Sequence, residues 1–297
     1  MLKKFFKKQF ISFYYDEKYK LILEHVKNKK TLDSIEKEFD DKQKLEKFVE
    51  EKLDDNPQTY ISTTLLSLNQ GVMDSCSKQK YLEKDIDYDN VKILCVNNIY
   101  SFYASIYDIN KVLKEYSFNI DFLYSIFAPI DFYAKERKNR FYVLVLNNYI
   151  AILGYENYKP IFSDIIIINE EEKVDESNEE IIEDIEDIDL LNEIEEDTPL
   201  DENIEEIDEK EIEENLEEKL DKLTTNIEVK ILNSLKESLK DYYENYSNDF
   251  IERIIILDTI GIDITLNNLI EDELLIPSEI ENFDLLKTLN RMSIESI

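Results

Sequence analysis

Two aspartates occupy positions where the sequence could bind a metal ion. Asp16 and Asp258 each end a segment rich in β-branched and aromatic residues, and carboxylates at neighbouring strand ends can bind a divalent cation. The alternative is that both are turn residues, since Asp side chains readily accept hydrogen bonds from their own turns. No third acidic residue at a strand end is evident, so the turn interpretation is favoured and we expect no metal site.

The remaining reactive side chains do not form a catalytic set. His25 is the single histidine and lies in a predicted strand, which favours an ordinary surface or half-buried role. Cys76 and Cys95 are the two cysteines, and no second histidine is present to activate either one. They form no C-x-x-C pair, so we expect small hydrophobic side chains in a reducing cytosol and no catalytic residue.

Glycine is scarce, with Gly71, Gly154 and Gly261 the three among 297 residues. Glycine lets backbone amides approach phosphate and adopt positive φ, so loops that cradle nucleotides depend on it. Neither G-x-G-x-x-G nor G-x-x-x-x-G-K-[ST] occurs in the chain. The scarcity argues against nucleotide chemistry and favours a protein that binds and assembles.

Most of the negative charge lies in one insert. The net charge is −33 at pH 7, and residues 170–221 contain 28 Asp and Glu residues but three Lys. Because so much like charge repels itself, we expect residues 169–221 to be disordered between two flanks of ordinary composition. The insert also suggests an alternative function: an acidic interaction protein, or a nucleic-acid mimic, that binds a basic partner through residues 170–221.

Strands and helices alternate on both sides of the insert, which favours α/β layers. The predicted strands are two over residues 10–30, three over 140–168, and single strands at 59–68, 92–97, 101–107, 120–125 and 253–257. The predicted helices lie at 41–56, 109–116, 129–138, 227–246, 265–275 and 283–292. No run of eighteen apolar residues occurs, so no segment is predicted to span a membrane.

The order of these elements resembles the actin-like proteins of bacterial membrane machines, namely the pilus assembly protein PilM and the cytoplasmic part of the type II secretion protein GspL. Residues 93–135 are similar to the family's small inserted subdomain and return helix, with Pro129 and Ala134 in its x-x-P-x-x-x-x-A motif. Residues 227–277 resemble its long helix, I-D-R-I-hydrophobic strand, second helix and closing x-I-P. The resemblance covers most of the chain outside the insert.

This resemblance implies a degenerate actin-like (RNase-H-like) fold of two domains. The first domain covers residues 1–139, with a small inserted subdomain at about 92–126. The second covers 140–168 and 222–297, interrupted by the acidic insert.

The chain departs from the family at the turns that bind nucleotide. Actin-like ATPases hold phosphate in two D-x-G-type turns and adenosine at a glycine pair after a late strand. The matching turns here are Tyr14-Tyr15-Asp16-Glu17, Leu146-Asn147-Asn148 and Asp258-Thr259-Ile260-Gly261. Two contain no glycine and the third places β-branched Ile260 beside its only one, which disfavours tight positive-φ turns. We therefore expect no ATP, no cofactor and no enzymatic activity, with an active actin-like ATPase as a weaker hypothesis.

The resemblance further implies a non-catalytic cytoplasmic scaffold, peripheral at the inner membrane through its protein partners. Its partner would be the cytoplasmic tail of a PilN-like inner-membrane protein, within a homo-oligomeric ring or array of a pilus, secretion system or flagellar motor. Neither nucleic acid nor a small-molecule substrate is expected. The residues predicted to line the tail-binding groove are Ile93, Cys95, Tyr103, Ile106, Phe122 and Tyr124.

Overall fold

The computed structural model describes residues 7–168, 209–247 and 249–297. The predicted acidic insert therefore lies largely outside the described residues. Its last residues, from 209 onward, begin a helix that continues into the helix predicted from residue 227.

Every strand and helix predicted from the sequence is present, with ends shifted by a few residues. The strands are β1 (Lys8–Asp16), β2 (Lys18–Lys27), β3 (Lys30–Phe39), β4 (Thr59–Leu65), β5 (Gln70–Met73), β6 (Val91–Val96), β7 (Tyr100–Ser105), β8 (Phe122–Ser125), β9 (Arg140–Val145), β10 (Tyr149–Glu156), β11 (Lys159–Ile167), β12 (Arg253–Asp258) and β13 (Ser278–Asn282). The helices are α1 (Lys42–Asp55), α2 (Lys78–Glu83), α3 (Ile106–Glu115), α4 (Phe127–Tyr133), α5 (Glu209–Asn245), α6 (Thr265–Leu274) and α7 (Leu285–Ser296). Four elements were not predicted from the sequence: β3, β5, β13 and α2. Three of them are very short. The fourth, β3, is exposed at almost every position, so it lacks the buried face that produces an alternating pattern.

Two five-stranded sheets repeat one topology. The first has the order β3-β2-β1-β4-β8 and the second has the order β11-β10-β9-β12-β13. In each sheet the first three strands of the chain form an antiparallel meander, and the last two run parallel to the central strand. Two RNase-H-like sheets in tandem are the actin-like fold, so the predicted fold class is confirmed.

The central strand β9 is buried on both faces, which explains its nearly continuous apolar sequence. Phe141 and Val143 on one face join a cluster with the α5 residues Leu235 and Tyr242. Tyr142, on the other face, joins a second cluster that takes in side chains from α4, α7 and β7. The helical stripe predicted along α5 is thus a core face.

The last helix, α7, packs against β1, β2 and β4 of the first sheet, although the second sheet precedes it in the chain. Its Asn290 is fully buried, where it accepts a hydrogen bond from Ser12 (2.6 Å) and donates one to Glu24 (3.0 Å). The predicted domain boundaries, which assign residues 222–297 to the second domain, stay a prediction. Of the helices described here, none has both the length and the apolar composition needed to cross a bilayer.

A small sheet of order β5-β7-β6 lies in the chain between β4 and β8, and with α2 and α3 it is named the small subdomain (residues 70–115). The bounds predicted for an inserted subdomain, about 92–126, stay a prediction. Here the structure corrects the reading of the cysteines as separate hydrophobic side chains, because Cys76 and Cys95 are joined by a disulfide bond with Cα atoms 5.6 Å apart. Their spacing of 19 residues gave no signal for this pairing. The β5–α2 connection and the edge strand β6 are brought together only by folding of the sheet.

Candidate functional site

The turns predicted to replace the phosphate-binding turns face each other across the two sheets. The first turn follows β1 and the second joins β9 to β10, so they end the central strands of the two repeats. Asp16, at the end of β1, is 1% exposed, and the next residue, Glu17, has a positive φ of 64°. The structure therefore brings together two turns that lie 131 residues apart in the chain.

The carboxylate of Asp16 accepts hydrogen bonds from the second turn. Asn147 donates its backbone N–H (2.9 Å) and its side-chain Nδ2 (3.0 Å), and Asn148 donates its backbone N–H (3.0 Å). In the actin-like ATPases that the sequence resembles, the amides of this turn would receive phosphate. Here they receive an anion that belongs to the protein, so a phosphate would have to displace a buried carboxylate of like charge.

The third turn, after β12, is closed in a similar way. The carboxylate of Asp258 accepts the backbone N–H groups of Ile260, Gly261 and Ile262, each at 2.9 Å. Gly261 has a φ of 89°, so the one glycine of these turns is used to form this loop. These hydrogen bonds confirm the interpretation of Asp16 and Asp258 as turn residues. In the parts of the chain that the structure describes, no cluster of three His, Cys, Asp or Glu side chains is placed to hold a metal ion.

A cleft of about 280 Å³ lies beside the first and third turns, and most of its charged lining residues are acidic. Glu36, Glu38, Asp258 and Asp284 contribute carboxylates, against the single ammonium group of Lys20 among the lining residues. A polyanionic ligand would therefore meet more negative than positive side chains in this cleft.

Charges at the rim of the cleft interact with one another. Lys287 bridges Glu36 (3.0 Å) and Asp284 (2.7 Å), and these two carboxylates raise the pKa of its ammonium group. The pKa of Tyr14 is raised by burial first, and also by nearby negative charges that include Asp16. The shift at Lys287 has the direction expected for nearby carboxylates, and the shift at Tyr14 has the direction expected chiefly for burial.

His25 lies away from these turns, on β2. Its ring nitrogen contacts the carboxylate of Asp33 on the neighbouring strand β3, and both side chains are partly exposed. This position agrees with the predicted ordinary role of His25.

The residues predicted to bind a partner tail fall on more than one face. Ile93 and Tyr103 are cross-strand partners on the face of the small sheet that α2 covers, because Tyr81 of α2 packs its ring 5.7 Å from that of Tyr103. Cys95 lies on the same face as Ile93 and is in the disulfide bond.

The other predicted residues lie elsewhere. Phe122 and Tyr124 stack in parallel on β8 with ring centroids 6.1 Å apart, and the Tyr124 hydroxyl lies 3.1 Å from that of Ser293 on α7. Ile106 begins α3 and is 38% exposed. The structure thus brings Ile93 together with Tyr103, and Phe122 together with Tyr124, on faces covered by different helices.

The sequence reading missed Leu94, which lies on the opposite face of β6 from Ile93. Leu94 pairs with Phe102, whose ring belongs to the core cluster under α4, yet Leu94 itself is 63% exposed. The sequence of β6, VKILCV, is apolar at both odd and even positions. Its alternation therefore carried no signal for which face is open.

The open apolar surface of the subdomain also includes α3. This ten-residue helix has no buried residue, and Ile106 and Tyr107 in its first turn are exposed, the latter by 76%. Most helices are stabilised by burying an apolar face, so α3 retains apolar surface that a partner could cover.

Two family models match this chain. Residues 5–131 match the family described as domain of unknown function DUF8569, and residues 141–297 match the family described as domain of unknown function DUF8341. No match was found among curated proteins.

Solved structures similar to this chain include one from a pilus machine. A chain of the PilM–PilN type IV pilus biogenesis complex is 12% identical with a TM-score of 0.53, over 97% of this chain and 96% of that one. A Bacteroides thetaiotaomicron protein with actin-like ATPase fold and unknown function is 13% identical, with a TM-score of 0.47, over 99% and 96% of the two chains. The cytoplasmic domain of EpsL, an inner membrane component of the type II secretion system of Vibrio cholerae, is 9% identical, with a TM-score of 0.44, over 98% and 96%. At the level of fold, the likeness to the PilM–PilN chain confirms the predicted resemblance.

Proposed function

The chain belongs to the family described as domain of unknown function DUF8341, and we propose that it is a non-catalytic actin-like scaffold that binds a membrane protein's cytoplasmic tail. The observation that carries the non-catalytic part is the Asp16 carboxylate on the amides of Asn147 and Asn148. In this proposal the protein's own carboxylate joins the two sheets where the ATPases of this fold use nucleotide.

Nucleotide binding tests this first part. A ligand at 100 times its Kd stabilises a fold by about 2.7 kcal/mol, which is a readily measured rise in melting temperature. We expect millimolar ATP with Mg²⁺ to leave the melting temperature unchanged and isothermal titration calorimetry to show no binding heat. A clear thermal shift with ATP would contradict the proposal and favour an active ATPase.

The partner part rests on the fold and on the exposed apolar surface of the small subdomain. The PilM–PilN complex gives a precedent for a protein of this fold that assembles with a second pilus protein. In the present chain, Leu94, Ile106 and Tyr107 expose apolar side chains on β6 and α3. We propose that this surface binds an apolar stretch of the tail of a PilN-like inner-membrane protein.

Paired charge substitutions test the surface. Leu94→Glu and Ile106→Glu each place a carboxylate on an exposed apolar position, so the fold should be retained while tail binding is lost. The matched control is Ile264→Glu, because Ile264 is 75% exposed and lies just before α6, beside the second sheet. A fluorescent fusion should lose focal membrane localisation in the first two variants and keep it in the control. Unchanged foci in both the Leu94→Glu and the Ile106→Glu variant, with unchanged melting temperatures, would exclude this surface.

A third substitution separates the two faces of β6. Ile93→Glu changes the face covered by α2, so it should lower the melting temperature, whereas Leu94→Glu should change localisation alone. If Ile93→Glu changed localisation while Leu94→Glu lowered the melting temperature, the face of β6 that carries Ile93 would be the one that binds the partner.

The setting of this scaffold is part of the same proposal. We place it in the cytoplasm, held at the inner membrane by its partner, as one copy in a ring or array of a pilus, secretion or flagellar machine. Affinity purification after cross-linking in cells should recover a single-span membrane protein with a short cytoplasmic tail. Recovery of a basic, DNA-binding partner instead would favour the acidic-mimic function of residues 170–221.

A further inference from the structure

The disulfide bond of the small subdomain joins two segments of different exposure. Cys76 is half-buried in the β5–α2 connection, and Cys95 is exposed on β6, which is an edge strand of its sheet. A disulfide with one exposed sulfur is accessible to thiols and to other disulfides in solution.

Both sulfurs also lie beside hydrogen-bond acceptors. The sulfur of Cys76 is 3.3 Å from the carbonyl oxygen of Tyr100, and that of Cys95 is 3.6 Å from the side-chain oxygen of Asn98. A thiol is a weak hydrogen-bond donor, so each cysteine, when reduced, can donate its S–H to the acceptor beside it. The same backbone arrangement can therefore accommodate the disulfide and the dithiol.

Few buried side chains hold the chain between the two cysteines. Tyr81 is the one buried apolar side chain between Cys76 and Cys95, and it attaches α2 through its hydrogen bond to Ser101 (2.6 Å). The strand β6 has a partner, β7, on one side of the three-stranded sheet. Segments with few buried side chains open at low free-energy cost, so a covalent bond contributes a large part of the order here.

We propose that Cys76 and Cys95 are a reversible redox pair, whose oxidation fixes α2 and β6 in place and whose reduction releases them. The oxidant is a low-molecular-weight disulfide of the glutathione class. The thiolate of exposed Cys95 attacks one sulfur of this disulfide, forming a mixed disulfide and releasing one thiol. The thiolate of Cys76 then attacks the Cys95 sulfur and displaces the second thiol. A dithiol reductant restores the two cysteine thiols by two further exchanges, through a mixed disulfide, and is itself oxidised to its own cyclic disulfide.

This inference does not depend on the proposed function, because it concerns the order of the subdomain and not its partner. It has a consequence for any ligand of that surface, since Leu94 is next to Cys95 on the same strand. Oxidation holds Leu94 in one position, and reduction lets the edge strand move.

The test uses the full chain in buffers of defined glutathione to glutathione-disulfide ratio. Alkylation in denaturant followed by intact mass measurement counts free thiols. We expect a cooperative change between no thiols and two thiols, without accumulation of a glutathione adduct. Two free thiols at every ratio, or a stable adduct on Cys95, would overturn the proposal.

Hydrogen exchange in the oxidised and reduced protein then measures the consequence. Amides of residues 77–96 should exchange roughly ten- to a hundredfold faster after reduction, because the released loop regains chain entropy. Amides of β9 and β10, in the second sheet, should not change. The Cys76→Ser, Cys95→Ser double variant should match the reduced wild type in both redox buffers, and wild type reduced with dithiothreitol replaces it if it fails to fold. Equal exchange of residues 77–96 in the two wild-type states would overturn the proposal.

Discussion

Replacing Asp16 by asparagine tests whether its carboxylate joins the two sheets. The carboxylate accepts three hydrogen bonds from Asn147 and Asn148, at 2.9 to 3.0 Å. An asparagine side chain has one oxygen, so it can accept at most two of the three. Its NH₂ group then points at the remaining N–H donor, which is a repulsive contact.

The size of the effect follows from these contacts. A hydrogen bond to a charged group contributes about 1.5–3 kcal/mol, so losing one and weakening two should destabilise the protein by about 3 kcal/mol. Relief of the cost of burying a carboxylate acts in the opposite direction, but Asp16 has donors on both oxygens, so we expect the lost bonds to dominate. For a chain of this size the melting temperature should fall by about 6–12 °C.

The neighbouring residue supplies a matched control. Glu17→Gln removes the same charge one residue away, on an exposed side chain, so it should change stability by about 0.5 kcal/mol or less. Differential scanning calorimetry of the wild type and both variants separates the two cases. If Asp16→Asn melts together with Glu17→Gln, the carboxylate is not what holds the turns, and the proposed replacement of nucleotide by Asp16 fails.

Three further substitutions test the packing. Gly154→Ala should cost about 3 kcal/mol in urea unfolding, because its Cβ would lie 2.7 Å from a ring carbon of fully buried Phe141. Burial raises the pKa of Tyr103 to about 12 in the folded protein, from about 10 in the unfolded chain. The stability that comes from this difference is present in full below pH 10, and it is lost as the pH rises to 12 because the unfolded chain loses the proton first. Tyr103→Phe should therefore make the fall in unfolding free energy over that window shallower by about 1.4 kcal/mol per pH unit, and an unchanged slope would contradict the shift. Asn290→Asp should lower the free energy of unfolding at neutral pH by about 3 kcal/mol, and with it the melting temperature, because it replaces the donor to buried Glu24 with a second carboxylate. An unchanged melting temperature would show that this contact is not formed.

The sequence by itself determined most of the elements and the fold class. The runs of apolar, β-branched and aromatic residues in β1 and β9, and the 3.6-residue stripe along α5, are local patterns that arise because each element must bury one or both faces. The scarcity of glycine argues against nucleotide-binding loops for an equally local reason, since a phosphate-binding turn needs positive φ in its own residues, and the absence of bound nucleotide stays a prediction. Elements without a buried face, such as β3, gave no pattern and were missed.

The contacts on which the two proposals depend were decided by the tertiary structure. Asp16 contacts a turn 131 residues away because β1 and β9 end close together in the folded protein. Cys76 forms a disulfide with Cys95 because β5 and β6 belong to the same small sheet. On β6 both faces are apolar in sequence, so the alternation could not distinguish Ile93 from Leu94, and only the position of α2 determines which face is covered. The period of apolar residues along a segment indicates which face of that one helix or strand is buried. Which side chains then meet depends on strand register and turn geometry between distant segments, which no local pattern in this chain encodes.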